Sequence, residues 1–238
     1  MKRMKVLVAI VAVLAMSVCL MACGGGSSQQ GQQAPKENAP VDLEVINAGF
    51  YMGEFGNMSY AAMINNPNKT WAAERIQVNV AARDASGNVL NSTTDNIVLM
   101  FPDGTTAVAG GMGANGDVAS IEVTPVVNKS NWTREEDITE MAYLEKFPVT
   151  NVSETNGAYG QNTVAGEVTN NTEGTYTLSR VSVVFTREDG SIVGGGFTYL
   201  NGELQPGMTL PFSILSYYVP DHADVEVYVD PGYPQGKQ

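Results

Sequence analysis

The stretch RIQVNVAARDASGNVL, residues 75–90, decides how the folded part of this chain is read. Ile76, Val78, Val80 and Ala82 fall on one side of an extended backbone, while Gln77, Asn79 and Arg83 fall on the other. A period of two marks a strand with one face buried. The strand runs into Ser86-Gly87-Asn88, where glycine permits the positive φ of a tight turn, and apolar residues then resume. Residues 180–193, RVSVVFTREDGSIV, repeat the plan: Val181, Val183 and Phe185 share a face, and Glu188-Asp189-Gly190-Ser191 makes the turn.

Working outward from these two strands, the parallel extends in both directions. SYAAMINNPNKT at 59–70 matches VAGEVTNNTEGT at 164–175, each carrying an Asn-Asn pair, Asn65-Asn66 and Asn170-Asn171. Asparagine tolerates left-handed backbone and bonds its own main chain, so both pairs read as turn chemistry. FPDGTTAVA at 101–109 parallels QPGMTLPFS at 205–213, and the apolar runs VASIEV at 118–123 and VEVYV at 225–229 close the two units. The pattern predicts a duplicated domain of short strands with frequent turns, which is the signature of an antiparallel sandwich. The expected fold class is all-β: two tandem antiparallel immunoglobulin-like β-sandwiches joined by a short helix, after a flexible N-terminal tether.

The helix is expected within 129–147. Thr133 followed by Glu136 has capping-box spacing, and Glu135, Glu136 and Asp137 would load a first turn with negative charge. Ile138, Met141, Ala142 and Tyr143 form an apolar stripe, Trp132 would anchor the start, and Pro148 would stop the helix. The boundaries that follow are 41–128 for the first sandwich, 129–147 for the connector, 148–230 for the second sandwich and 231–238 for a tail.

The N-terminus has a different character. Lys2, Arg3 and Lys5 precede an uncharged apolar run from Val6 to Leu20. A run of about 15 residues is shorter than the roughly 20 of a membrane span and has the form of an export signal. It ends in Leu20-Met21-Ala22-Cys23. Residues 24–40, GGGSSQQGQQAPKENAP, lack core-forming side chains and read as a flexible tether with an end-to-end distance of about 20–25 Å. With residues 1–22 removed, Cys19 is lost and Cys23 is the one cysteine left, which leaves no disulfide and no cysteine metal cluster. Loss of Lys2, Arg3 and Lys5 takes the net charge from −12 to −15. A body so acidic is repelled by nucleic acid and by anionic membrane surfaces.

Two resemblances rest on these residues. Leu20-Met21-Ala22-Cys23 resembles the lipobox of bacterial lipoproteins. The resemblance implies that Cys23 receives a diacylglycerol, becomes the new N-terminus at 23 and anchors the chain to the cell membrane. Val164-Ala165-Gly166-Glu167-Val168-Thr169-Asn170-Asn171-Thr172 and the closing Leu204-Gln205-Pro206-Gly207-Met208-Thr209-Leu210-Pro211-Phe212 resemble the FxLYD domain, an immunoglobulin-like module of exported proteins. The namesake Tyr-Asp is absent, Thr186-Arg187 standing in that region, and in the first unit Asp103 replaces the glycine after Pro102. That family implies a fold and a setting and no reaction.

Candidate chemistry is sparse. His222, the single histidine, lies between Asp221 and Asp224 in a segment expected to be an exposed loop, with no second nitrogen ligand for a metal. No Gly-x-Ser-x-Gly occurs. GGMGANG at 110–116 lacks the following helix and Lys-Ser/Thr of a phosphate cradle and is expected to be a mobile loop. The expectation is a lipid-anchored extracytoplasmic protein without cofactor or catalytic residues. It would serve binding, adhesion or envelope scaffolding, with an envelope protein or polymer as partner. The alternative is a small-ligand carrier or a carboxylate-based enzyme with its site between the sandwiches.

Overall fold

The computed structural model describes residues 39–53, 56–134, 143–157, 161–217 and 219–236. The export signal, Cys23 and the tether up to residue 38 lie outside the described residues. Residues 39–238 cluster as one compact unit.

The first half contributes β1 (Glu44–Met52), β2 (Asn57–Asn65), β3 (Trp71–Arg83), β4 (Val89–Met100), β5 (Thr105–Gly113) and β6 (Ser120–Val126). They form two antiparallel sheets, ordered β1-β2-β5 and β4-β3-β6. The alternation on β3 holds: Ile76, Val78, Val80 and Ala82 are fully buried, and Gln77 and Asn79 are exposed. The buried row meets Met58, Tyr60, Ala62 and Ile64 from β2 in one hydrophobic cluster, so the two sheets share a core face to face. Each buried Ile, Val or Met among them contributes about 1.5–3 kcal/mol relative to exposure.

After a short 3₁₀ turn at Lys129–Asn131, β7 (Trp132–Arg134) adds to the end of β3, with Trp132 opposite Ala73. This corrects the expected helix start: Thr133 is a strand residue whose hydroxyl bonds Glu74 at 3.1 Å. Residues 135–142, which carry the rest of the proposed helix cap and much of its stripe, lie outside the described residues. The described helical part is a single turn, α1 (Tyr143–Lys146). Phe147 follows it into the core, stacked on Phe101 at 6.2 Å and edge-on to Tyr176 at 5.2 Å.

The second half contributes β8 (Val149–Asn156), β9 (Gln161–Thr169), β10 (Tyr176–Thr177), β11 (Arg180–Thr186), β12 (Ile192–Tyr199), β13 (Thr209–Tyr217), β14 (Asp224–Asp230) and β15 (Tyr233–Pro234). Its sheets are ordered β13-β9-β8 and β12-β11-β14, with a small β10-β15 pair. The strand order is that of the first half, with β8, β9 and β13 in the places of β1, β2 and β5, and β12, β11 and β14 in the places of β4, β3 and β6.

The turn chemistry is also matched. Asn66 and Asn170 are fully buried. The Asn66 amide donates to the carbonyls of Trp71 and Phe101 at 2.8 and 3.0 Å, while its oxygen accepts from the Asn68 N–H. The Asn170 amide donates to Gly174 and Leu204 at 2.7 and 3.0 Å, while its oxygen accepts from the Thr172 N–H. One asparagine in each half thus closes a loop whose backbone groups would otherwise be buried unpaired. Asp103 takes a left-handed φ of 56°, as Gly207 does at 71°, so the aspartate fills the glycine's turn position at some steric cost. The left-handed residues Arg75 and Leu178 occupy matching points, Arg75 within β3 and Leu178 two residues before β11. The true register therefore pairs Arg75 with Leu178 rather than with Arg180, a slip of two that keeps the same face inward.

One face departs from the half-buried pattern. Every residue of β11 is buried, including Ser182 and Thr186 on the side expected to face solvent. The first half covers that side: Val184 and Ile192 pack against Ala61, Ala107 and Ala109. Glycine is required at this contact. A Cβ on Gly195 would fall 2.3 Å from the Val183 carbonyl and 2.9 Å from the Ala109 methyl.

Candidate functional site

Polar bonds fix the two halves together and set the geometry of the surface between them. Ser59 Oγ donates to the Gly195 carbonyl and accepts from the Gly195 N–H, both at 3.1 Å. Arg180, 3% exposed, carries the buried charge. Its guanidinium makes two contacts to the Asp95 carboxylate, one of them Nη2 to Oδ2 at 2.9 Å, and it donates to the Ala109 carbonyl at 2.8 Å. Asp230 is equally buried. It accepts from the N–H groups of Val98 at 2.7 Å and Leu99 at 3.2 Å on β4 and of Gly232 at 3.1 Å. Burial pushes the Asp230 carboxyl up to about 6 against the pull of those N–H groups and Arg180. The Tyr60 hydroxyl, bonded to Asp95, is raised above the ordinary phenol value, first by burial and then by that carboxylate.

Above this cluster lies a groove of about 560 Å³, within the range of small-molecule sites. Its walls come from the end of β5 (Gly110 to Gly113), the middle of β12 (Gly195 to Phe197) and the end of β13 (Leu215 to Tyr217). Asn57 to Ser59 of β2 and Tyr51 of β1 complete it. None of the described residues that line it is charged. Phe197, Leu215 and Tyr217 stand 43%, 49% and 54% exposed. The Phe197 ring lies 3.9 Å from the Arg180 guanidinium carbon and edge-on to Tyr199 at 5.9 Å. Ser216 is buried, and its hydroxyl has no hydrogen-bond partner. Gly196 makes room for that hydroxyl, since a Cβ there would fall 2.6 Å from Ser216 Oγ.

The groove corrects the reading of GGMGANG. Gly110 to Gly113 are the end of strand β5, paired with Asn57 to Tyr60, and the Gly113 carbonyl accepts from Asn91 Nδ2 at 2.5 Å. Glycines carry no side-chain period, so a strand that ends in them has no alternation to read.

His222 is also placed differently from expectation. Its side chain is 11% exposed, Nε2 lies 2.9 Å from Glu154 Oε1, and the ring tilts over Phe185 at 4.8 Å. It borders a polar recess of about 340 Å³ with Asn162, Gln161 and Asp221. Among the described residues no group of three or more His, Cys, Asp or Glu is arranged to hold a metal ion. Cys23 lies outside the described residues. Asp95, Arg180, Asp230, Ser216 and the groove rings were not legible as site residues, because they meet only through long-range pairing. The one local signal was Val184, an apolar residue at an outward position of β11.

No family model matches the chain, and no curated protein matches it. Among solved structures, the exo-chitosanase CsxA of Amycolatopsis orientalis is 12% identical with a TM-score of 0.25, covering 79% of this chain and 26% of its own. Red sea bream transglutaminase is 9% identical with a TM-score of 0.26, covering 79% of this chain and 28% of its own. The chain spans about a quarter of the length of these structures. At such TM-scores the likeness carries no argument about fold or activity.

Proposed function

We propose that the chain is a bacterial lipoprotein, anchored outside the cytoplasm through acylated Cys23. Its two tandem immunoglobulin-like sandwiches, the second FxLYD-like, serve non-enzymatic binding in the envelope. The common strand order of the halves and the matched buried asparagines Asn66 and Asn170 support the duplicated sandwich. The observation that carries the binding role is the groove between the halves, with Phe197, Leu215 and Tyr217 exposed on a scaffold fixed by buried polar bonds. An exposed aromatic set on rigid strands is a recognition surface. Carboxylate catalysis, weighed from sequence as an alternative beside a small-ligand carrier, needs a spaced acid pair. No carboxylate is among the described residues of the groove lining, and the side chains exposed there support binding instead.

The anchor has a direct test. Cells fed an alkyne-tagged fatty acid should label the wild-type chain, and Cys23→Ala should lose the label and leave the membrane fraction. A labelled Cys23→Ala chain, or an unlabelled wild type, would remove the anchor from the proposal.

A further inference from the structure

We infer that the open edge of β13 takes up an extended peptide segment of a partner protein by strand addition. This rests on the binding role proposed above and gives the partner's chemistry. β13 pairs with β9 alone, in an unbroken register from Thr209 opposite Thr169 to Tyr217 opposite Gln161. The Asn170 N–H donates to the Met208 carbonyl at 2.9 Å, one residue before the strand, and so sets the phase of the ladder. Residues along an antiparallel pair alternate between bonding the neighbouring strand and facing away from it. The even-numbered residues of β13 therefore bond β9, while Pro211, Ser213, Leu215 and Tyr217 turn their backbone groups outward. All four are exposed. Pro211 has no N–H, and the outward phase is where a strand tolerates it. From Ser213 to Tyr217 the outward N–H and carbonyl groups have no partner among the described residues.

Folded proteins blunt their sheet edges with bulges, charges, proline or cover, because an open edge pairs with other chains. Among the described residues, every other outer strand longer than three residues carries such a device. Register shifts break β1 after Val45 and β8 after Thr150. Glu122 and Glu226 put charge on β6 and β14. Side chains occupy backbone groups of the rest: Asp230 on β4, Arg180 on β5 and Ser59 on β12. β13 has Pro211 near its start and nothing after it. FSILSY, Phe212 to Tyr217, is uncharged, unbroken in register and rich in strand-forming side chains. A segment of this kind on an open edge is a template for another strand.

The groove decides what can reach this edge. Leu215 to Tyr217 line it together with Gly110 to Gly113. A Cβ on Gly113 would meet nothing within 4 Å, so bare backbone there leaves width for the side chains of an added strand. A groove admits one extended chain. A second copy would bring its own groove walls and its own net charge of −12 against this one, so the occupant is a segment of a different protein. Leu215 and Tyr217 alternate along the edge, 49% and 54% exposed, where side chains of an added strand fall beside them. A segment as long as Ser213 to Tyr217, with β-branched or aromatic residues at every second position and no net negative charge, meets these demands.

The test uses the full chain purified in detergent and a displayed library of random nonapeptides, the best of which is titrated by fluorescence anisotropy. N-methylation of that peptide, one residue at a time, should weaken binding about three- to tenfold at every second position, where the N–H bonds the edge. The positions between should tolerate it. Leu215→Pro removes an outward N–H and no ladder bond, and should weaken binding by a similar factor. Gly113→Leu should weaken it by filling the groove, and Val89→Ala, outside the lining, should change nothing. Melting curves establish that each variant is folded, and the N-methyl scan needs no variant. A peptide whose affinity falls without a period of two, or is unmoved throughout, would overturn strand addition. A dimer in sedimentation that Leu215→Pro dissociates would overturn it in favour of a second copy. An array of neutral and acidic oligosaccharides is run in parallel. An oligosaccharide lost on Gly113→Leu, with no peptide selected, would overturn the peptide while the binding role stands. Binding of neither would overturn both.

Discussion

Replacing Arg180 with methionine should lower the unfolding free energy by about 3–5 kcal/mol, the cost of breaking a buried ion pair from one side. For a chain of this size that is a drop of about 10 °C in melting temperature. Arg180 holds Asp95 on β4 and the Ala109 carbonyl on β5 from its own place at the start of β11, so the loss falls on the contact between the halves. Methionine keeps much of the stem volume beneath Phe197 and leaves Asp95 and Asp230 without their cation. The double variant Arg180→Met with Asp95→Leu should recover at least half of the loss, because an apolar pair carries no stranded charge. Urea unfolding of the four chains of this cycle gives the answer. A single-variant cost under about 1 kcal/mol would mean that the pair is solvated and the halves are held by other contacts.

Acidification should stabilise the chain through Asp230. Its carboxyl is raised from 3.8 to about 6, chiefly by burial. Between those values the folded chain holds a proton that the unfolded chain has released. The unfolding free energy contributed by this group therefore falls as pH rises through the window and is level above it. The shift corresponds to about 3 kcal/mol. The exposed Asp84 and Asp189, held below the ordinary carboxylate value chiefly by hydrogen bonds with Asn88 and Ser191 respectively, act in the opposite direction. They are common to the wild type and Asp230→Asn, so the difference between the two chains isolates Asp230. That difference should move by about 2 kcal/mol in favour of the wild type as pH falls from 6.5 to 4, and towards about 3 kcal/mol below that. A difference that stays level would mean that Asp230 is ionised in the folded chain throughout, and that its three N–H donors outweigh burial.

Much of the strand pattern was legible because it is local. Ile76 to Ala82 state their own period, and Gly87 and Gly190 turn with φ of 84° and 79° where the sequence places turns. The asparagine pairs were legible as loop chemistry but not as matched buried brackets, which depend on carbonyls such as Phe101 and Leu204, far away in sequence. The helix expected at Thr133 failed at its start because β3 offers Trp132–Arg134 an open edge to join, and pairing outweighs a capping pattern. The groove was hidden for two reasons. Much of its lining is glycine, which has no period, and its rings stand on β1, β12 and β13, brought together only by the contact of the halves. Arg180, Asp95 and Asp230 read as ordinary surface charges until that contact buries them.

The groove, proposed as the working surface of an envelope protein, has one direct test. The most direct measurement places a photoreactive benzophenone amino acid at position 217, and separately at position 89, in intact cells. A discrete adduct with an envelope molecule is expected from position 217, none from position 89, and the adduct should be lost when Gly113→Leu is added. The same adducts from both positions, or none from position 217, would contradict the proposal.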